Sequence, residues 1–442
     1  MTPPVVVDLH DAGSLVTADA AALLPSCALA GAQVRSVAEQ LAAWPAFERP
    51  RALVVVGAAA SVDAALLSAL IGENAGCPVV AAAVLPGWVG ALDIVVVFAA
   101  AVDDMTAAGA AAAAGRRGAR VVVRAAAVGP VAEAAGAALL EPLISVTEAL
   151  AGAARLTVLA SVAAAAGLCP RPDFAAAAEQ LDAMAMACHP SSEFFVNPGL
   201  TLAEQLAVGT PLLIGTDAVA DALAAYATRS LAGISGIAGG WLSCGQAVSS
   251  PPVLARAAAR DGSGAGASPD IFWDPYNDDG SAPGQQISPV LVVGPSIDSV
   301  VGRLTNSGLL PDVEPAFGAP HPAPRSPLAA ALEAALPRAM CIGPEELPSP
   351  DRDAGANELG RDSGGLRQRD AFTWTVAMMC RIDFAAVYVG LLTAARLPVD
   401  SPDGLGRPGR AAVHRPGDRG PVAGVDTPTA LGDDEEESGS WS

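Results

Sequence analysis

The stretch VVVFAAAVDD, residues 95–104, decides the fold. With Ile94 before it, its apolar run to Phe98 has the length and β-branched content of a buried strand. Three alanines and a valine then turn the chain, and an aspartate pair stands where a helix over Met105–Arg116 should begin. In open α/β folds ligands bind at such strand ends. This turn, however, offers no side-chain donor or acceptor before Asp103.

The same alternation extends in both directions. Residues 52–56 form a second β-branched run, GAAAS (57–61) turns it, and 62–71 read as a helix. Residues 78–84 and 119–123 supply two more apolar runs. Unbroken apolar strands alternating with helices predict a parallel sheet covered on both faces. A helix is expected near 36–43, helical segments over 146–166 and 173–187, and a loop at 188–199. A second alternation follows: helix 200–207, strand 211–214, the turn GTD, helix 218–232 and a strand at 287–293. Residues 300–370 are rich in Pro, Gly and Ser, with one helix expected at 328–336, and a helix returns over 371–395. The expected domains are an N-terminal leader and helix (1–45), a first α/β domain (46–150), a helical linker and lid (151–199) and a second α/β domain (200–400). The Gly/Pro/Asp/Arg-rich tail at 401–442, which carries the acidic run 433–437, has the composition of a disordered segment.

Composition narrows the function. The net charge of −21 leaves no basic stripe for nucleic acid. All 25 basic residues are arginine, which excludes Schiff-base chemistry through lysine. Seven scattered cysteines without a C-x-x-C pair, and no secretory-type opening segment, read as reduced thiols in a cytoplasm. Apolar windows such as 156–168, bounded by Arg155, are too short to span a bilayer, so no membrane segment is expected.

Few residues carry chemistry. Gly57 and Ser61, at a strand end and a helix start, could place backbone N–H groups and a hydroxyl around an anion, or Ser61 could simply cap the helix. His189 and Glu193, in HPSSE, are the remaining acid/base candidates, set against an ordinary polar linker; as a metal pair they lack further ligands. DPYNDD (274–279) lacks the full calcium-loop spacing and reads as a solvated turn. No metal and no cofactor is expected.

Several segments, taken in order, resemble sugar isomerase (SIS) domains. RALVVVGAAASVDAALL (51–67) resembles the family's strand–G-x-G-G-S–helix opening, and LPGWVGALDIVVVFAAAVDD (85–104) the segment holding its S-x-S-G-x-T loop. GRRGARVVVRA (115–125) resembles the next strand, and SSEFFVNPGLTLAEQLAVGTPLLIGTD (191–217) the link into a second such domain. RIDFAAVYVGLLTAARLPVDSP (381–402) is similar to the C-terminal helix of the bifunctional phosphoglucose/phosphomannose isomerases, and PDIFWDPYNDD (269–279) to a segment of their actinobacterial members.

The resemblance implies two SIS domains, each a parallel sheet flanked by helices in three α/β/α layers, assembled as a homodimer. It further implies a site for a sugar phosphate or other carbohydrate derivative. The implied reaction is aldose–ketose isomerisation of glucose 6-phosphate or mannose 6-phosphate with fructose 6-phosphate, by proton transfer between C1 and C2. Carried over residue by residue, Gly57 and Ser61 match, but the inner glycines are Ala59 and Ala60. Ala99 and Ala101 stand for the phosphate-binding serines, Val102 for the glycine and Asp104 for the threonine. Gly236 stands where the catalytic glutamate belongs, and WLSCGQAVSSPP has no counterpart of the later His-Asn-Glu. The expectation is therefore a weak or inactive isomerase, or a non-catalytic SIS-fold binding or regulatory protein, in which Asp103 and Asp104 cap the helix that a phosphate would otherwise cap.

Overall fold

The computed structural model describes residues 7–42, 44, 46–72, 75–258, 287–294, 332, 334–336, 339–343, 347–348 and 368–396. Two parallel sheets organise them. The first runs in the order β2(Val79–Ala82), β1(Leu53–Val56), β3(Ile94–Phe98), β4(Arg120–Arg124), β5(Leu139–Leu140). The second runs β7(Gly240–Ser243), β6(Thr210–Gly215), β8(Ile287–Val292), β9(Met340–Ile342). Every strand pair is parallel, with Val54 beside Val95 and Val96 beside Val122 in the first sheet.

The apolar strands are explained by what lies on each face. Successive side chains of a strand point to opposite sides. Leu53, Val55, Ile94, Val96 and Val122 pack on α3(Ala30–Ala42), α4(Ala60–Ile71) and α7(Gly152–Ala165). Val54, Val56, Val95, Val97 and Val123 pack instead on α5(Met105–Arg116) and on Val131 of α6(Pro130–Ala135). All of these side chains are buried, each contributing roughly 1.5–3 kcal/mol. The second sheet repeats the plan. Leu213, Val290 and Val292 face α9(Pro198–Ala207), α10(Ala218–Ser230) and the long helix α13(Gln368–Arg396). Leu212, Ile214 and Leu291 face α11(Cys244–Val248) and α12(Pro251–Ala258).

The expected strands at 52–56, 94–98, 119–123, 211–214 and 287–293 are present within a residue or two, whereas the run 78–84 pairs only over Val79–Ala82. The N-terminal region carries two further short helices, α1(Ala12–Ala18) and α2(Leu23–Ala28), before α3. The expected loop at 188–199 contains a 3-10 turn, Phe194–Val196, and the first residues of α9, whose start is capped by the Asn197 side chain on the amides of Gly199 and Leu200. The helix expected over 218–232 ends at Ser230 and relaxes into a π turn, Leu231–Ser235.

The sequence reading missed that residues 371–393 are long and apolar enough to cross a bilayer (mean hydropathy 1.6). In the structure this stretch of α13 is a core helix, its most apolar window 89% buried among α2, α8(Phe174–Ala187), α9 and α10. No disulfide forms among the described residues. The expected solvated turn at 274–279, most of 300–370 and the tail at 401–442 lie outside the described residues.

Candidate functional site

The carboxyl ends of β1, β3 and β4 bring three turns together. Gly57 ends β1 with φ +149°, and a Cβ there would lie 2.7 Å from the carbonyl oxygen of Phe98. Only glycine lets β1 deliver its turn this close to β3, a packing reason for the residue independent of any ligand. Helix α4 then starts at Ala60, with Ala59 as a cap that makes no side-chain hydrogen bond. Ser61 therefore does not cap the helix: it is its second residue, exposed to solvent.

The turn after β3 is closed by its own carboxylate. Asp104 caps α5, accepting from the Ala107 amide at 2.9 Å through Oδ1 and from the Ala100 amide at 3.1 Å through Oδ2. Of the expected aspartate pair, Asp104 is thus the cap, while Asp103 is exposed. Ala99 and Ala101 belong to this closed turn, and the Ala99 amide donates to the carbonyl of Arg124 at 3.1 Å.

Beside the turn lies a cleft of about 290 Å³, bounded by residues 99–102, 124–126 and the segment 141–151. Its charged lining groups are Arg124, Glu141 and Glu148. Beneath it is a buried ionic cluster. Arg155, 2% exposed, donates from Nε to Asp63 at 2.9 Å and from a terminal nitrogen to Glu148, at 2.7 Å to the carboxylate and 2.9 Å to the backbone carbonyl. Burial opposes the Arg155 charge, but Asp63 and Glu148 together hold its pKa above the ordinary arginine value. Burial raises the carboxyl pKa values of Asp63 and Glu148, with Arg155 pulling both back. Arg124 is lowered by desolvation, against the attraction of Glu148.

A second buried group adjoins the first. Asp383 of α13 accepts from the Tyr226 hydroxyl at 2.9 Å on each oxygen and from the Ser230 hydroxyl at 3.1 Å. Burial pushes Asp383 up to about 7, even though both hydroxyls and Arg155 favour its charged form. A Cβ on Gly152 would collide with the Tyr226 hydroxyl, so this glycine lets α10 close onto α7.

His189 and Glu193 lie elsewhere, in the turn after α8. The His189 ring bonds the Ser191 hydroxyl at 2.7 Å and accepts from the Ser191 amide at 3.2 Å. Both side chains are exposed, and among the described residues no hydrogen bond joins them. Gly236 follows the π turn in left-handed conformation, φ +70°, and Ser235 donates to the Leu231 carbonyl at 2.6 Å. The sequence reading missed Asp63, Arg124, Glu148 and Asp383. The available signal was an isolated charge within an apolar run, as in RVVVRA and ASVDAALL. Among the described residues no group of three or more His, Cys, Asp or Glu side chains is placed to hold a metal ion.

Comparison with solved structures places this architecture in a known class. A Bacillus subtilis protein provisionally assigned as a phosphosugar isomerase superposes with a TM-score of 0.50 at 12% identity, covering 83% of this chain and 95% of that one. A hypothetical protein of Thermus thermophilus gives a TM-score of 0.52 at 11% identity, covering 87% and 89%. At this identity the likeness is one of fold. The chain thus has the two-sheet, three-layer α/β/α architecture of sugar isomerase proteins. No family model matches the sequence, and no curated protein matches it.

Proposed function

We propose that this chain is a carbohydrate-derivative-binding protein of the sugar isomerase fold in which hexose-phosphate isomerisation is weak or lost. The observation that carries the reading is Asp104, whose carboxylate takes the Ala100 and Ala107 amides at the turn where the resemblance puts phosphate-binding hydroxyls. A carboxylate there satisfies the helix start from within the chain and repels an incoming dianion. The base is also missing. Gly236 occupies the place the resemblance gives to the glutamate, and the exposed His189 and Glu193 are the remaining acid/base candidates. Each lost general acid/base or electrostatic group commonly costs roughly a hundredfold in rate. The provisional assignment of the Bacillus protein supports a sugar phosphate or related carbohydrate as the ligand class. The working form in this reading is a cytoplasmic homodimer resembling the bifunctional phosphoglucose/phosphomannose isomerases, with domains at 46–150 and 200–400.

The test is incubation of the full chain with fructose 6-phosphate, following glucose 6-phosphate and mannose 6-phosphate. Turnover below about 1 s⁻¹ is expected, and turnover in the ordinary enzyme range overturns the loss of activity. Binding is tested by thermal unfolding with fructose 6-phosphate, glucose 6-phosphate, mannose 6-phosphate and glucuronate. A ligand held only by the folded state must raise Tm, so no shift with any of the four removes the binding reading.

A further inference from the structure

The cleft beside the closed turn holds a cation, Arg124, with no hydrogen-bond partner among the described residues. Arg124 ends β4, is 8% exposed and lines the cleft, and its guanidinium makes no hydrogen bond among the described residues. Its Nε is wholly buried and unpartnered. Neighbouring Arg155 shows the usual outcome for a buried arginine here, with two carboxylates and a carbonyl satisfying it. Glu148 belongs to that arrangement and acts on Arg124 only through space. A buried charged donor left unsatisfied is strongly unfavourable. An arginine so placed on a cleft wall is a preformed contact for an anion that enters from solvent.

The charge around it selects the anion. Asp63 and Glu148 balance Arg155 and Arg124, so the cluster is neutral before a ligand arrives. Glu141 and Glu148 also line the cleft, and Asp104 already occupies two amides of the adjoining turn. A phosphate dianion would bring two charges to a cleft whose charged lining among the described residues is Arg124, Glu141 and Glu148, beside an Ala100 amide already taken by Asp104. A carboxylate brings one charge, and its planar pair of oxygens matches the guanidinium fork.

We propose that Arg124 is the anion anchor of this cleft, and that the cleft takes a carbohydrate bearing a carboxylate, of the uronic or aldonic acid class, in preference to a sugar phosphate. This rests on the carbohydrate-binding reading above and specifies its ligand. The sugar hydroxyls would meet the polar rim formed by Ser145 and Glu141.

The experiment measures affinities of the full chain for glucuronate, acetate, fructose 6-phosphate and inorganic phosphate by calorimetry, with Arg124→Met and Arg124→Lys beside the parent. Glucuronate is expected to bind most tightly, acetate detectably more weakly, and the two phosphates weakest. Arg124→Met should weaken glucuronate about tenfold to a hundredfold, the usual worth of a charge-assisted hydrogen bond. Should the methionine variant fail to fold, Arg124→Lys keeps the charge but loses the fork, and a loss of about tenfold is expected there. Glucuronate binding in a folded Arg124 variant within twofold of the parent overturns the assignment, as does tighter binding of fructose 6-phosphate than of glucuronate. In the second case the carbohydrate-binding reading stands and only this inference falls; if no ligand of either kind binds, both fall.

Discussion

Replacing Asp383 by asparagine removes a carboxyl group that the fold holds far from its solution behaviour. Asp383 is buried, accepts from Tyr226 and Ser230, and titrates at about 7 because burial penalises its charged form. In the unfolded chain an aspartate titrates at about 3.9. The folded state therefore binds the extra proton between these values. The resulting stabilisation is complete below about pH 4 and is lost as pH rises through about 7. At about 1.4 kcal/mol per unit, the whole window is worth roughly 4 kcal/mol, with about 3 kcal/mol of it between pH 5 and pH 8. The asparagine of the Asp383→Asn variant keeps an acceptor oxygen for Tyr226 but has no proton to lose. Urea unfolding of both proteins at about pH 5, 6, 7 and 8 gives the difference directly. Asp221, which burial and the neighbouring Asp217 raise to about 6, is present in both proteins and cancels. The stability difference should shift in favour of the variant by about 3 kcal/mol over that range. A difference that stays constant with pH refutes the reasoning, because it would mean that Asp383 titrates normally in the fold.

Two further substitutions probe the site. Asp104→Thr keeps a helix-capping oxygen but removes the negative charge, so it should cost no more than about 1 kcal/mol in unfolding experiments and strengthen fructose 6-phosphate binding by about tenfold; unchanged or weaker binding counts against the closed-loop reading. Arg155→Met strands Asp63 and Glu148 without their common cation and should destabilise by about 3–5 kcal/mol at neutral pH, partly recovered at acid pH as the carboxyls take up protons. Denaturant titrations at two pH values check both the size and the recovery.

The parallel sheets were readable because strands buried on both faces appear as continuous apolar runs, as at Ile94–Phe98 and Leu53–Val56. Three of the four edge strands among the described residues were not. Leu139–Leu140 is two residues long, and Gly240–Ser243 and Met340–Ile342 are partly exposed, so neither length nor hydrophobicity marks them. At the site, the capping role of Asp104 followed from local sequence because its partners lie three and four residues away. The ionic cluster depends on contacts such as Asp63 with Arg155, 92 residues apart, and no local pattern encodes that separation. Ser61 shows the opposite error: a residue type favoured at helix starts, yet the helix begins two residues too early for it to cap.

Helix α13 has one more consequence, set by the order in which the chain is made. It is buried around nearly its whole circumference and packs against α2, α8, α9 and α10, yet it is the last element of the described structure to leave the ribosome. Until residues near 390 emerge, those four helices lack their common apolar partner. The first sheet, with its own helices on both faces, can condense while synthesis continues. The faces of α2, α8, α9 and α10 that α13 covers stay exposed until it docks, and exposed apolar surface of that kind favours aggregation during synthesis.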